Sequence, residues 1–118
     1  MNSELADRFT SEWLEAWNAH DLERILSHYA DEFEMFSPVI VQVMGNREGC
    51  LRGKQAVRAY WARALSLFPN LRFTHICTMV GVNGIVIHYL SSTGKRVAEV
   101  FQFNQDGLVI RAHAHYES

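Results

Sequence analysis

The chain has 118 residues, 48% of them hydrophobic, with 11 Lys and Arg against 13 Asp and Glu and a formal net charge of −2. That length supports one core, so residues 1–118 are expected to form a single domain. The basic residues are scattered, which leaves no footprint for nucleic acid or an anionic membrane, and no apolar stretch approaches the roughly 18 residues of a membrane span.

The segment Met1–Asp7 lacks the basic and apolar regions of a signal peptide. Cys50 and Cys77 are neither closely spaced nor set in a metal-ligand pattern, and two reduced thiols point to a cytoplasmic protein. His113 and His115 share one strand face, but no third ligand is evident from spacing. Neither a metal nor a cofactor is therefore expected.

Leu5, Phe9, Trp13, Ala16 and Trp17 recur at helical spacing and predict an amphipathic first helix. Asp21 is a good N-cap for a second, shorter helix carrying Leu22, Ile25, Leu26 and Tyr29. Asp31 to Ser37 reads as a strand ended by Pro38. Val39 to Met44 reads as a second short strand, and Gly45 to Gly49 as a turn-rich loop. Lys54 to Phe68 is a third helix stopped by Pro69.

After Pro69 the pattern changes. The segments 71–81, 85–91, 96–104 and 108–116 are rich in β-branched and aromatic residues, separated by Asn83-Gly84, Thr93-Gly94 and Asp106-Gly107. These dipeptides are strong hairpin signals. Helices followed by a meander of hairpins predict an α+β fold with the helices gathered on one face of a mostly antiparallel sheet.

Glu99 is the chemically informative residue. It sits inside Val97-Ala98-Glu99-Val100-Phe101-Gln102-Phe103, where alternation places it on one face with Val97, Phe101 and Phe103. Burying an unpaired carboxylate costs several kcal/mol, roughly, unless its pKa rises until it is neutral. With two-residue turns at Thr93-Gly94 and Asp106-Gly107, His88 stands across from Glu99, Ala114 flanks it, and Val97 opposes Tyr116. A four-residue loop keeps the first pairing, and a three-residue loop destroys it. With Asn83-Gly84 treated likewise, Met79 opposes His88 and the face with Cys77, Val86 and Leu90 lines a pocket. Ile85, Ile87 and Tyr89 then fall on the other face, which is apolar enough to predict a homodimer through the sheet. Glu99 and His88 can act as an acid/base pair, or satisfy each other as an ordinary cross-strand pair.

The ordered set Trp17-Asn18-Ala19-His20-Asp21-Leu22, Tyr29-Ala30-Asp31, Ser37-Pro38, Gly53-Lys54-Gln55-Ala56-Val57, Pro69 and Phe101 to Gly107 resembles the SnoaL-like branch of the nuclear transport factor 2-like superfamily. The resemblance implies a conical barrel in which a curved sheet wraps three N-terminal helices around an apolar pocket. It implies that Met35 and Ser37 face the pocket; the strand register adds Phe101, Ala114 and Tyr116, and Trp13, Trp17, Tyr29, Tyr60 and Trp61 either wall it or are ordinary core packing. It places Glu99 at the protonated-acid position of ketosteroid isomerases, a neutral carboxylic acid being a known device of that enzyme. The family's general base falls on Ser37 and its oxyanion-hole tyrosine on Trp13, so steroid isomerisation by that route is not expected. What remains is a protein for a small hydrophobic ligand, with isomerase, cyclase or dehydratase chemistry in view. The alternative is a non-enzymatic binding or dimerisation module of the same fold.

Overall fold

The computed structural model describes residues 1–118. Helix α1 spans Ser3–Asn18, with Asn2 capping it by accepting from the Leu5 amide at 2.9 Å. It buries Ala6, Thr10, Trp13, Ala16 and Trp17. Helix α2, Leu22–Leu26, is capped by Asp21, which accepts from the Arg24 amide. Strand β1 then runs from Tyr29 to Phe36, two residues earlier than the sequence suggested.

The segment expected as a short strand is instead helix α3, Pro38–Met44. Its β-branched run favours a strand, but its ends favour a helix more. The Ser37 hydroxyl accepts from the Val39 amide at 3.1 Å, Pro38 occupies the first turn, and Gly45 closes the far end at φ 68°. There are thus four helices rather than three. The next three residues, Cys50–Arg52, form strand β2, a pairing the sequence did not announce.

Helix α4, Lys54–Leu67, buries Val57, Tyr60, Trp61 and Ala64. Strands β3 (Thr74–Val80), β4 (Gly84–Leu90), β5 (Arg96–Phe103) and β6 (Val109–Tyr116) follow. The sheet order is β2-β1-β6-β5-β4-β3, and β1–β6 is its one parallel pair. The fold is α+β with a six-stranded, mostly antiparallel sheet. Its edges β2 and β3 do not join, so the expected barrel is an open sheet.

Two hairpin registers differ from expectation. At β5–β6, Glu99 opposes Ala114 and Val97 opposes Tyr116, as predicted. At β4–β5, Ile87 opposes Glu99 and His88 opposes Ala98. The Ser91 amide donates to the Lys95 carbonyl at 2.8 Å, enclosing Ser92-Thr93-Gly94, with Gly94 at φ 84°. A three-residue loop puts its left-handed residue last, where the glycine stands, and this one-residue slip turns over the whole of β4. Ile85, Ile87 and Tyr89 therefore face the helices and are buried, while Val86, His88 and Leu90 face away.

At β3–β4 the Gly81 amide donates to the Gly84 carbonyl, so the turn is Val82-Asn83 and Met79 opposes Val86, not His88. Cys77, opposite His88, and Met79 thus share the outward face of β4's neighbours rather than lining the interior.

Candidate functional site

Glu99 is buried at 4% exposure on the inward face of β5, beside Val97 and Phe101. Its Oε1 accepts a hydrogen bond from the Tyr89 hydroxyl at 2.9 Å. Burial pushes its pKa up to about 7, and the Tyr89 bond only partly opposes that rise. The group therefore changes protonation state near neutrality.

The chain has four tyrosines, each on a different element; Tyr89 bonds this carboxyl, and its charge acts on all four. Tyr89 arrives from β4, Tyr29 from β1, Tyr60 from α4 and Tyr116 from β6. Burial raises every one of their pKa values, and the Glu99 charge adds to each. Tyr116 reaches about 12. The Ser37 hydroxyl partly opposes the rise at both Tyr60 and Tyr116, which sets it beside both phenols. Tyr29 accepts from the Trp13 indole N–H at 2.9 Å.

The other expected positions are also inside. Met35 and Ser37 are each 4% exposed, with Met35 opposite Ala112 across the β1–β6 pair. Trp13 meets Phe101 and Tyr89 at 5.3 and 5.4 Å between ring centroids. Trp17 meets Trp61 at 5.2 Å, and Trp61 meets Tyr29 at 5.0 Å. Aromatic contacts at these spacings leave little room between the rings.

His88 is not part of the cluster. It lies on the outward face, where its Nδ1 is 3.8 Å from Cys77 Sγ. The expected Glu99–His88 pair fails because it rested on the slipped β4 register. Tyr89 takes the partner's place, and it was missed for the same reason. The signal that could have found it is Gly94, third in its loop. His113 and His115 also face outward with rings 6.3 Å apart, and no third metal-ligating side chain joins them.

Two hollows open on the sheet, the second reaching Tyr116. One of about 370 Å³ sits between the β3–β4 turn and Val100 and Gln102 of β5. The other, about 290 Å³, lies against His88, Ala98 and His115. Neither is lined by Glu99.

The SnoaL-like domain model matches residues 10–112, from inside α1 to the middle of β6. The chain belongs to the SnoaL-like family. A SnoaL-like protein of unknown function from Burkholderia thailandensis E264 is 50% identical over 99% of this chain and 98% of its own, with a TM-score of 0.95. A candidate isomerase of the SnoaL-like family from Agrobacterium tumefaciens strain C58 shares the fold at 18% identity and a TM-score of 0.74, covering 98% and 99% of the two chains. An NTF-2-like protein of unknown function from Burkholderia xenovorans LB400 does so at 15% identity and a TM-score of 0.72, covering 100% and 87%. Among curated proteins none matches. No helix of this SnoaL-like chain is long and apolar enough to cross a membrane.

Proposed function

We propose that this SnoaL-like chain binds a small, largely hydrophobic molecule at Glu99 and moves a proton on it without a cofactor. Isomerisation, cyclisation and dehydration are the reaction types that such an acid serves. The observation that carries this reading is the Glu99 carboxyl itself, buried, bonded by the Tyr89 hydroxyl and raised to about 7. A carboxyl used only for packing gains nothing from such an environment, whereas an acid/base group needs a pKa near its working pH. Tyr89 replaces His88 as the partner that orients it. The SnoaL-like isomerase neighbour shares the fold and lends its chemistry only as a direction.

A screen by thermal shift and native mass spectrometry against hydrophobic ketones, polyketide-like aromatics and terpenoids tests the reading. Stabilisation that disappears in Glu99→Gln supports it; stabilisation that survives the substitution unchanged places the ligand elsewhere. The second reading, a non-enzymatic binding module, is favoured by the close ring contacts of Trp13, Trp17, Trp61 and Phe101. It predicts no ligand from the screen.

A homodimer through the sheet is part of the same proposal. Met79 and Val100, which share the outward face with Val86, are exposed at 53% and 39%, which is a liability on a face left in water. A monomer by light scattering at low protein concentration would refute it.

A further inference from the structure

On the face of the sheet turned away from Glu99, side chains line up across the strands in two adjoining levels. Phe36, His113, Val100, Val86 and Met79 stand side by side on β1, β6, β5, β4 and β3. Two residues further along β6, His115, Ala98, His88 and Cys77 form the next level. Three of the chain's six histidines thus share one face with an apolar band. His113 stacks flat on Phe36, with centroids 4.2 Å apart and planes 4° from parallel. His88 and His115 flank the small Ala98, and the hollow of about 290 Å³ lies against all three.

The carboxylates of this face are already engaged. Glu34 on β1 accepts from Arg52 on β2 at 2.6 Å and from Arg111 on β6 at 2.8 Å. Glu117, just past β6, accepts from the backbone and side chain of Arg96 on β5. Cys50 on β2 and Cys77 on β3 are the remaining titratable groups beside the histidines. An apolar band rimmed by closed arginine–carboxylate pairs offers no free charge to an unlike partner, and it suits a second copy of itself. Strands spaced about 4.8 Å apart, each about 23 Å long, present a face on the order of 500 Å² before side-chain relief. That approaches the roughly 800 Å² that each partner buries in a stable interface.

We propose that two copies of the chain pair through this face and that acid separates them, because His88, His113 and His115 of each copy must be neutral to be covered. The inference rests on the homodimer reading above and adds its control by pH. The histidines stand on the third and fifth of six strands, so a face-to-face partner covers them wherever the two-fold axis falls. Protonating them adds three positive charges to a face whose two carboxylates are already held by three arginines. Brought against an identical face, those charges repel and lose water together. His113 already shows the direction, since burial lowers its pKa and His115 and Arg111 lower it further, outweighing Glu34.

Sedimentation velocity of the full chain over a range of concentrations, at pH 7.5 and pH 6.0, tests this. An imidazole ordinarily titrates near about 6.5. If one histidine of each copy must shed its proton, the dimer dissociation constant rises about tenfold over that interval, and roughly a thousandfold if all three must. The combined variant His88→Gln, His113→Gln, His115→Gln should dimerise equally at both pH values. That comparison also removes Glu99, which titrates in the same window from the other face. Single glutamine variants, each with a smaller pH effect than wild type, serve if the combined one does not fold. Val100→Arg, at a position 39% exposed, should abolish the dimer at both pH values. An equally tight wild-type dimer at both would overturn the acid control while the homodimer reading survives. A pH effect that persists in the glutamine variants, or a dimer indifferent to Val100→Arg, would also overturn it. A monomer at pH 7.5 would end both readings together.

Discussion

Tyr89 and Glu99 meet across 2.9 Å as diagonal neighbours on adjacent strands, because Glu99 lies opposite Ile87 and Tyr89 opposite Val97. Diagonal pairs on one sheet face are within reach of an aromatic side chain, and here the phenol spans the gap. The carboxyl thereby gains one donor at Oε1 while its other oxygen remains free. That asymmetry leaves one carboxyl oxygen without a hydrogen-bond donor from the chain.

The raised pKa of Glu99 has a sign in stability. Its folded value is about 7 against an ordinary 4.5, so the folded state holds the proton more tightly than the unfolded chain. The contribution is present in full below about pH 4.5 and is lost as pH rises through about 7. The size of the loss is about 3 kcal/mol. Urea unfolding at intervals from pH 4 to 8 should show the wild type losing stability relative to Glu99→Gln over this window. The comparison with the variant removes His28, whose pKa burial pushes down and whose contribution therefore runs the other way. A wild-type-minus-variant difference that stays flat with pH would mean that Glu99 is not perturbed.

Tyr89→Phe and His88→Ala separate the observed partner from the one expected by sequence. Tyr89 supplies the one hydrogen bond that lowers the Glu99 pKa, so its removal should raise that pKa further and cost about 1–2 kcal/mol of stability. His88 faces the other way, beside Cys77, and its removal should leave the Glu99 titration where it was. Carbon-detected NMR of the Glu99 carboxyl reads both variants directly. A shift caused by His88→Ala and none by Tyr89→Phe would contradict the β4 register.

The uneven legibility of this chain follows from which signals are local. Helices α1, α2 and α4 were readable because apolar spacing and caps such as Asp21 act within a turn or two. Glu99 as an inward acid was readable because strand alternation needs no partner, and its neighbour Ala114 because Asp106-Gly107 gave the right parity. Strand β4 was not, since Val86 and Leu90 are as apolar as Ile85 and Ile87. With both faces greasy, only loop length decided which side turned inward, and Gly94 decided it. Helix α3 was lost for a related reason, the β-branched run outweighing its Ser37 and Gly45 ends.

Ser37 has a structural duty that any catalytic reading must respect. Its hydroxyl caps α3 by accepting from the Val39 amide, and it also sits beside Tyr60 and Tyr116. Ser37→Ala should cost about 1 kcal/mol through the lost cap. Ser37→Asp should restore that capping but place a second acid near Glu99, raising its pKa further by like-charge repulsion. Recovery of stability with an unchanged Glu99 titration would mean that residue 37 does not communicate with the acid.

The β3–β4 turn sets where β4 begins, and Gly84 is the residue it cannot exchange. A Cβ there would stand 2.0 Å from the Phe101 carbonyl oxygen, a backbone atom that cannot swing aside. Gly94 is a useful contrast, because its φ of 84° strains any other residue while the space around it is open. Gly94→Ala should therefore cost about 1 kcal/mol, and Gly84→Ala about 3 kcal/mol or the fold itself. Denaturant midpoints at matched pH give the ranking. Equal costs would mean that β4 and β5 do not approach as closely as described, and would loosen the placement of Phe101 beside Glu99.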